Sequence, residues 1–300
     1  MQLPDEFQFS ASALQDFLDC PQRFYLRHVL GLAWPARVTE PIREHEAHLA
    51  RGSAFHRLVQ QHQNGVPADL LDPLARAGGL GDWWQSYLAC EYAAWLDSRP
   101  LVEFPLSAPF CGARLYAKYD LILVEDPAAS KNQSSGDEDP ATHVLQSSGD
   151  ATDRRLVIVD WKTSRKRPGR DALLAQAQTR VYRYLLALAG NPLVGREVAP
   201  AEIRMVYWFA GFPAQPEVLD YSPEQFSLDA DLLQRTADEI LGRSGPEDFN
   251  RTAREAACKT CLYSTYCERG GSPVPLEERE SAEGGEDFEI DFDSIPEVAF

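Results

Sequence analysis

The hydrophobic period of the sequence changes along the chain, and this change constrains the fold more than any other feature. Apolar residues recur at helical spacing in segments 43–62, 82–98, 170–189 and 222–243. The alternating or continuous apolar pattern of strands is found instead in segments 101–110, 111–126, 154–164 and 201–210. Helical segments lie before, between and after the strand segments, so the pattern predicts an α/β chain.

The composition is typical of a soluble globular protein. Hydrophobic residues make up 44% of the chain and aromatic residues 10%, so 300 residues can bury a sizeable core. The segment MQLPDEFQFS has neither the basic nor the apolar region of a signal peptide. No apolar stretch reaches the ~20 residues of a membrane span. We therefore expect a cytoplasmic protein without membrane contact, in which clustered cysteines are metal ligands or catalytic thiols rather than disulfides.

The formal net charge of −17 is concentrated in two segments. Residues 277–300 hold ten acidic side chains and one Arg, and residues 125–153 hold seven acidic side chains and one Lys. The rest of the chain carries a net charge of −2. This distribution argues against a general nucleic-acid coat but leaves room for a local basic groove.

The segment between the second and third predicted strands has the composition of a disordered insertion. It contains the sequence QSSGD twice, at 133–137 and 146–150, among Ala, Asn and Pro residues. Two copies are too few for a repeat architecture, so we predict a disordered loop over residues 127–153. The chain is then expected to form one domain over residues 1–275, followed by an acidic disordered tail over 276–300.

The strand VIVDWKTS ends in two charged residues that share a face. Side chains alternate across a strand, so Asp160 and Lys162 point to the same side. A carboxylate there can bind a divalent cation, and an ammonium beside it can orient water or offset charge on phosphorus. The pair is compatible with phosphodiester hydrolysis, although by itself it is more typical of a solvated ion pair at a strand end.

Four further residues could complete such a site. Asp120 lies in the preceding strand, where a buried carboxylate needs a compensating cation. Two Asp residues on neighbouring strands provide oxygen ligands suited to Mg²⁺ or Mn²⁺. His56 lies on a predicted helix, and Gln178 and Tyr182 lie one turn apart on the helix after the D-x-K strand. Taken singly, each of these three is an ordinary helix residue.

In this order, the motifs G-x₃-H, Asp at a strand end, D-x-K and Q-x₃-Y resemble those of the RecB-like branch of the PD-(D/E)XK nuclease superfamily. The resemblance spans roughly residues 10–267 and implies a restriction-endonuclease-like core, in which helices flank a core sheet. It also implies that Asp120, Asp160 and Lys162 are catalytic, that His56 joins the two Asp residues as a metal ligand, and that Gln178 and Tyr182 orient the substrate. The sequence departs from the branch in having Ala117 where a Gly is usual, and Asp160 stands where some relatives have Glu.

Three of the six cysteines lie within ten residues, in CKTCLYSTYC at 258–267. The C-x₂-C-x₅-C spacing resembles the iron–sulfur segment of CRISPR-associated RecB-like exonucleases and of the AddB nuclease domain. That resemblance implies a fourth ligand far upstream, where Cys20 lies in the similar context FLDCPQRFYL. We therefore expect Cys20, Cys258, Cys261 and Cys267 to hold a [4Fe–4S] cluster that joins the N- and C-terminal segments. Four thiolates can equally hold Zn²⁺, although zinc sites more often have two C-x₂-C pairs; Cys90 and Cys111 are expected to be plain thiols.

These motifs predict a Mg²⁺- or Mn²⁺-dependent DNA nuclease, specifically a single-strand exonuclease of DNA repair, recombination or defence. The basic segment after the catalytic strand is expected to contact DNA phosphates; its candidate residues are Arg165, Lys166, Arg167 and Arg170. A solvated loop is the alternative interpretation of that segment. Two other functions stay open, a non-catalytic DNA-binding or assembly subunit of a helicase–nuclease complex and a CRISPR adaptation nuclease.

The tail alternates acidic residues with bulky apolar ones and ends in Phe300. It is similar in kind to the acidic tips of bacterial single-strand DNA-binding proteins. We therefore consider that it recruits a helicase or another DNA-processing partner, or that it folds back and competes with DNA. A disordered solubilising tail is the simpler alternative.

Overall fold

A six-stranded mixed sheet organises the computed structural model, which describes residues 3–4, 7–32, 40–93, 100–125, 155–259, 261–264 and 266–269. The strands are β1 (Gln8–Phe9), β2 (Leu101–Phe110), β3 (Ala113–Glu125), β4 (Arg155–Lys162), β5 (Ile203–Phe209) and β6 (Glu217–Asp220). Strand β3 pairs with β2 along its length, and it pairs with β1 near its start and with β4 near its end. Strands β4 and β5 are parallel, and β6 closes the order antiparallel to β5. Strand β4 therefore has a neighbour on both edges.

Helices cover both faces of this sheet. They are α1 (Ala11–Asp19), α2 (Pro21–Phe24, continued by a π-helical turn, Tyr25–Val29), α3 (Glu40–Gln63), α4 (Ala68–Ala77), α5 (Gly81–Leu88), α6 (Arg170–Ala175), α7 (Ala177–Ala189), α8 (Asn191–Val194), α9 (Pro223–Leu241) and α10 (Glu255–Lys259). One apolar core lies between the sheet and helices α1, α7 and α9, and the other lies between the sheet and helices α3, α4 and α5. The predicted α/β architecture is thus present. In the described part of the chain, no helix is both long enough and apolar enough to cross a membrane.

The β2–β3 hairpin turns through Cys111 and Gly112, at the predicted place. Both residues have positive φ, 47° and 76°, as the two central residues of a type I′ turn require. Farther along the hairpin the alternation of side chains breaks. Leu115, Ala117 and Tyr119 face the first core, but Leu121 and Leu123 face the second.

The break lies at Asp120, and on the partner strand it lies at Glu103. Phe104 packs on the first core, yet Val102 packs on the second, although regular alternation would put both on one face. Glu103 itself has a φ of 50°, a conformation that is uncommon for a residue with a side chain. The alternation of side chains therefore breaks at the same level on both strands, at Glu103 and at Asp120, in an otherwise regular hairpin.

Some predicted elements differ from the structure. The predicted helix 170–189 is broken at Gln176, which has extended backbone, and the amide of Ala177 is bonded instead by the Gln15 side chain (Oε1, 2.9 Å). Helix α5 ends at Leu88, earlier than the predicted segment 82–98. The strands β1 and β6 have too few residues to be recognised from sequence. Helix α4 is a further element that the sequence analysis missed, and Pro73 lies inside it. The predicted insertion 127–153 and tail 276–300 lie outside the described residues.

Candidate active site

Asp160 and Lys162 lie at the C-terminal end of β4, in the interior of the sheet. Their side chains lie on the same face, as predicted, and Lys162 Nζ is 2.9 Å from Asp160 Oδ2. Asp160 is only 2% exposed and Lys162 only 6%. Burial raises the pKa of Asp160 to about 6, although Lys162 opposes this shift, while Asp160 holds the pKa of Lys162 above its usual range. Lys162 is therefore a fixed cation and cannot serve as a general base near neutral pH.

Gln178, on α7, joins both members of this pair. Its Nε2 donates to Asp160 Oδ1 (2.9 Å), and its Oε1 accepts from Lys162 Nζ (2.9 Å). One amide thus fixes the orientation of the carboxylate and of the ammonium. The predicted Gln178 thus contacts both Asp160 and Lys162, and a catalytic role of the three stays a prediction.

Asp120 lies one residue beyond the point where the β3–β4 pairing ends, opposite Asp160. Its Oδ2 accepts a hydrogen bond from the backbone amide of Trp161 (2.9 Å). The side chain of His56, on α3, approaches the same oxygen, with Nδ1 at 3.6 Å. Asp120 is inside β3 rather than at a strand end as the family resemblance suggested, because β3 continues to Glu125. The break in alternation brings the carboxylate of Asp120 towards the Asp160–Lys162 pair.

Glu103 is a carboxylate of this site that the sequence analysis missed. One ligand atom from each of His56, Glu103 and Asp120 lies within 4.8 Å of the others. Burial and the neighbouring Asp120 raise the pKa of Glu103, which is offset by Lys118 (Nζ to Oε2, 2.8 Å). The only signal in the sequence is a single charged residue in the apolar strand LVEFPLSAPF.

This donor set fits a divalent cation. The three ligand atoms are close enough to share one cation, and the two carboxylates suit Mn²⁺ or Mg²⁺. Asp160 is outside this group of three; its Oδ1 accepts from Gln178 Nε2, and its Oδ2 forms the ion pair with Lys162. The predicted ligands His56 and Asp120 thus lie together, and metal ligation by Asp160 stays a prediction.

Tyr182 lies one turn after Gln178 but makes a different kind of contact. Its hydroxyl donates to the carbonyl of Lys118 (2.9 Å), and the hydroxyl of Tyr119 donates to the carbonyl of Tyr182 (2.9 Å). The two rings also pack together, with centroids 4.8 Å apart. Tyr182 therefore ties α7 to the part of β3 that carries Asp120, which favours a positioning role over direct substrate contact.

Arg167 and Arg170, which are predicted to contact DNA, bind a neighbouring strand. The side chains of Arg167 and Arg170 both bind the carboxylate of Glu217 on β6, at 2.5 and 2.6 Å. Arg167 also donates to the carbonyl of Gln215 (2.9 Å). These contacts fix the segment after β4 against β6. A phosphate contact by this segment, including Arg165 and Lys166, stays a prediction.

The four predicted cluster cysteines line one cavity. Cys20 lies between α1 and α2, and Cys258, Cys261 and Cys267 come from the C-terminal segment. Three basic side chains, those of Arg23, Arg251 and Arg269, line the same cavity. Burial and the neighbouring sulfur atoms raise the pKa of Cys261 to about 11. Cys90 and Cys111 are absent from the residues that line this cavity.

Comparison with known proteins agrees with the chemistry of the site. The family model of the PD-(D/E)XK nuclease superfamily matches residues 8–131 and 145–268. A solved structure titled "Crystal structure of SSO0001" is similar at 14% sequence identity, with 89% of this chain and 88% of that chain covered and a TM-score of 0.37. No curated protein matches the sequence. On the extent of the family match, this chain belongs to the PD-(D/E)XK nuclease superfamily.

Proposed function

We propose that the chain is a Mg²⁺- or Mn²⁺-dependent DNA nuclease, and specifically a single-strand exonuclease in DNA repair, recombination or defence. The observation that carries the proposal is the geometry around β4. A buried Asp160–Lys162 pair, aligned by Gln178, lies next to a group of His and carboxylate side chains that fits a divalent cation. Family membership supports nuclease chemistry, and the choice of single strands and of exonuclease action rests on the RecB-like motifs.

In this proposal some residues of the chain bind the cation, and others stabilise the negative charge on the reacting phosphate. A bound cation would polarise the phosphate and lower the pKa of a water molecule. The water oxygen would form a bond to phosphorus and lose its proton to solvent, while the P–O bond to the leaving nucleotide breaks and the leaving oxygen takes up a proton from solvent. Lys162 stays protonated and stabilises the extra negative charge on the phosphate oxygens, while Gln178 holds its ammonium in place.

The test is cleavage of labelled single-stranded DNA with Mn²⁺ by anaerobically purified protein. We expect wild type to cut, and Lys162→Ala to lose at least about 100-fold in rate, in the range of a lost charge-stabilising donor. Arg235→Ala, which removes a cation from the exposed face of α9, is the matched control and should cut like wild type. If wild type binds DNA but leaves it intact, the chain is a DNA-binding or assembly subunit and the enzymatic proposal fails.

We also propose that the cysteine cavity holds a [4Fe–4S] cluster. One C-x₂-C pair with two outlying cysteines supports a cluster over zinc, because zinc sites more often have two C-x₂-C pairs. The arginines of the cavity would offset part of the thiolate charge. The cluster would join Cys20 to a segment more than 230 residues later and so stabilise the domain.

The partner proposals rest on sequence alone. Single-stranded DNA follows from the proposed activity, with the segment Arg165–Arg170 as a phosphate contact. The acidic tail would bind a helicase or another DNA-processing protein, or compete with DNA in a basic groove. A cytoplasmic location is part of the same proposal.

A further inference from the structure

We propose that Glu103 is a further ligand of the divalent cation and that Lys118 is its counter-ion before the cation binds. The inference rests on the proposed function, because it concerns the same metal site. Glu103 is outside every motif by which the family was recognised, so its role has to be argued from the geometry alone.

The first argument is convergence. The carboxylate of Glu103 comes from β2, that of Asp120 from β3 and the imidazole of His56 from α3, yet their ligand atoms all lie within 4.8 Å of one another. Three different elements thus direct three metal-binding groups to one point. Asp160 is outside this group of three, so Glu103 supplies its second carboxylate.

The second argument is the direction of the Glu103 side chain. Regular alternation would place Glu103 on the face opposite Phe104, within the second apolar core. The left-handed φ of 50° interrupts that alternation and lets the carboxylate approach Asp120 instead. Two partly buried carboxylates so close together repel each other. A dication between the two carboxylates removes this repulsion.

The third argument is the contact with Lys118. Its ammonium lies 2.8 Å from Glu103 Oε2 and comes from the strand position two residues before Asp120. Lys118 offsets one negative charge of the metal-free site, and it does so from the end of a flexible side chain. A cation that binds between the carboxylates would take over this role, so Lys118 should oppose cation binding slightly.

The experiment is Mn²⁺ binding to the full chain without DNA, with free Mn²⁺ measured by room-temperature electron paramagnetic resonance. We expect Glu103→Gln to weaken Mn²⁺ binding at least 10-fold and Asp120→Asn to weaken it comparably. The matched control is Glu217→Gln, which changes another strand glutamate bound to basic side chains and should stay within 2-fold of wild type. Circular dichroism checks each fold, and Glu103→Asp, which keeps the charge, should recover part of the affinity.

Lys118→Met separates ligation from a purely structural ion pair. Ligation predicts that this variant binds Mn²⁺ as tightly as wild type or several-fold tighter. A loss of Mn²⁺ affinity as large as that of Glu103→Gln would show that the Glu103–Lys118 ion pair, and not ligation by Glu103, supports Mn²⁺ binding. This result would overturn the inference. Wild-type affinity in Glu103→Gln, with a loss in Asp120→Asn, would also overturn it but leave the proposed nuclease intact. If Asp120→Asn binds Mn²⁺ normally and wild type does not cut DNA, the proposed function itself fails.

Discussion

Replacement of Lys162 by Met should destabilise the protein strongly at high pH and weakly at low pH. The variant leaves the carboxylate of Asp160, which is 2% exposed, without the ammonium that now lies 2.9 Å away. Removal of one member of a buried ion pair typically costs about 3–5 kcal/mol. The Gln178 amide can still donate to Asp160 Oδ1. We therefore expect the free energy of unfolding to fall by about 4 kcal/mol at pH 8.

Protonation of Asp160 sets an upper limit on this loss of stability. From an unfolded-state pKa of 3.8, neutralising the carboxyl group costs about 1.36 kcal/mol per pH unit. The upper limit on the loss of stability is therefore about 6 kcal/mol at pH 8 and about 2 kcal/mol at pH 5. The folded-state pKa is above the unfolded value, so the folded protein binds the proton more readily, and the variant regains stability as pH falls through that pKa.

The assay is urea denaturation of metal-free protein, followed by tryptophan fluorescence, since Trp161 and Trp208 are buried beside the site. Arg235→Met is the control for loss of an exposed cation and should change stability by at most ~0.5 kcal/mol. Asp160→Asn combined with Lys162→Met should recover most of the loss, because no unpaired charge remains. A Lys162→Met variant as stable as wild type at pH 8, or one whose deficit grows on acidification, would refute the reasoning.

Two further variants test other parts of the molecule. Cys20→Ser should reduce bound iron and acid-labile sulfide as much as Cys261→Ser does, whereas Cys90→Ser should retain both; colourless protein with stoichiometric zinc would contradict the cluster but keep the four-cysteine site. Cys111→Asn should stabilise the protein by about 0.5–1 kcal/mol in urea denaturation, because Asn adopts the left-handed conformation of the hairpin turn more easily. Cys111→Val is the comparison and should destabilise, and equal stability of the two variants would speak against backbone strain at this position.

Much of the sheet could be predicted because its strands are long and strongly patterned. The apolar run before Asp160 predicts a strand with neighbours on both edges, and β4 is one. The shared face of Asp160 and Lys162 likewise follows from alternation alone. In these cases the local pattern and the tertiary structure agree.

The rest depends on contacts that no local pattern contains. Glu103 reaches the metal site through a break in alternation that has no motif, and Tyr182 takes the carbonyl of Lys118 as its partner, 64 residues away in the sequence. Helix 170–189 breaks at Gln176 because the Gln15 side chain satisfies the next amide. Such features are set by tertiary packing, which overrides helix and strand propensity.

Glu103 and Asp120 lie at equal distances along the chain from the hairpin turn, eight residues before Cys111 and eight residues after Gly112. Because turn length sets the register of a hairpin, one residue gained or lost at this turn would shift the register, so that Glu103 and Asp120 would no longer lie opposite each other. The connection between β3 and β4 carries no such requirement, and the sequence has accumulated a duplicated segment there. We therefore expect that descendants of this sequence can vary in length between β3 and β4, while the two-residue turn keeps its length as long as the site binds metal.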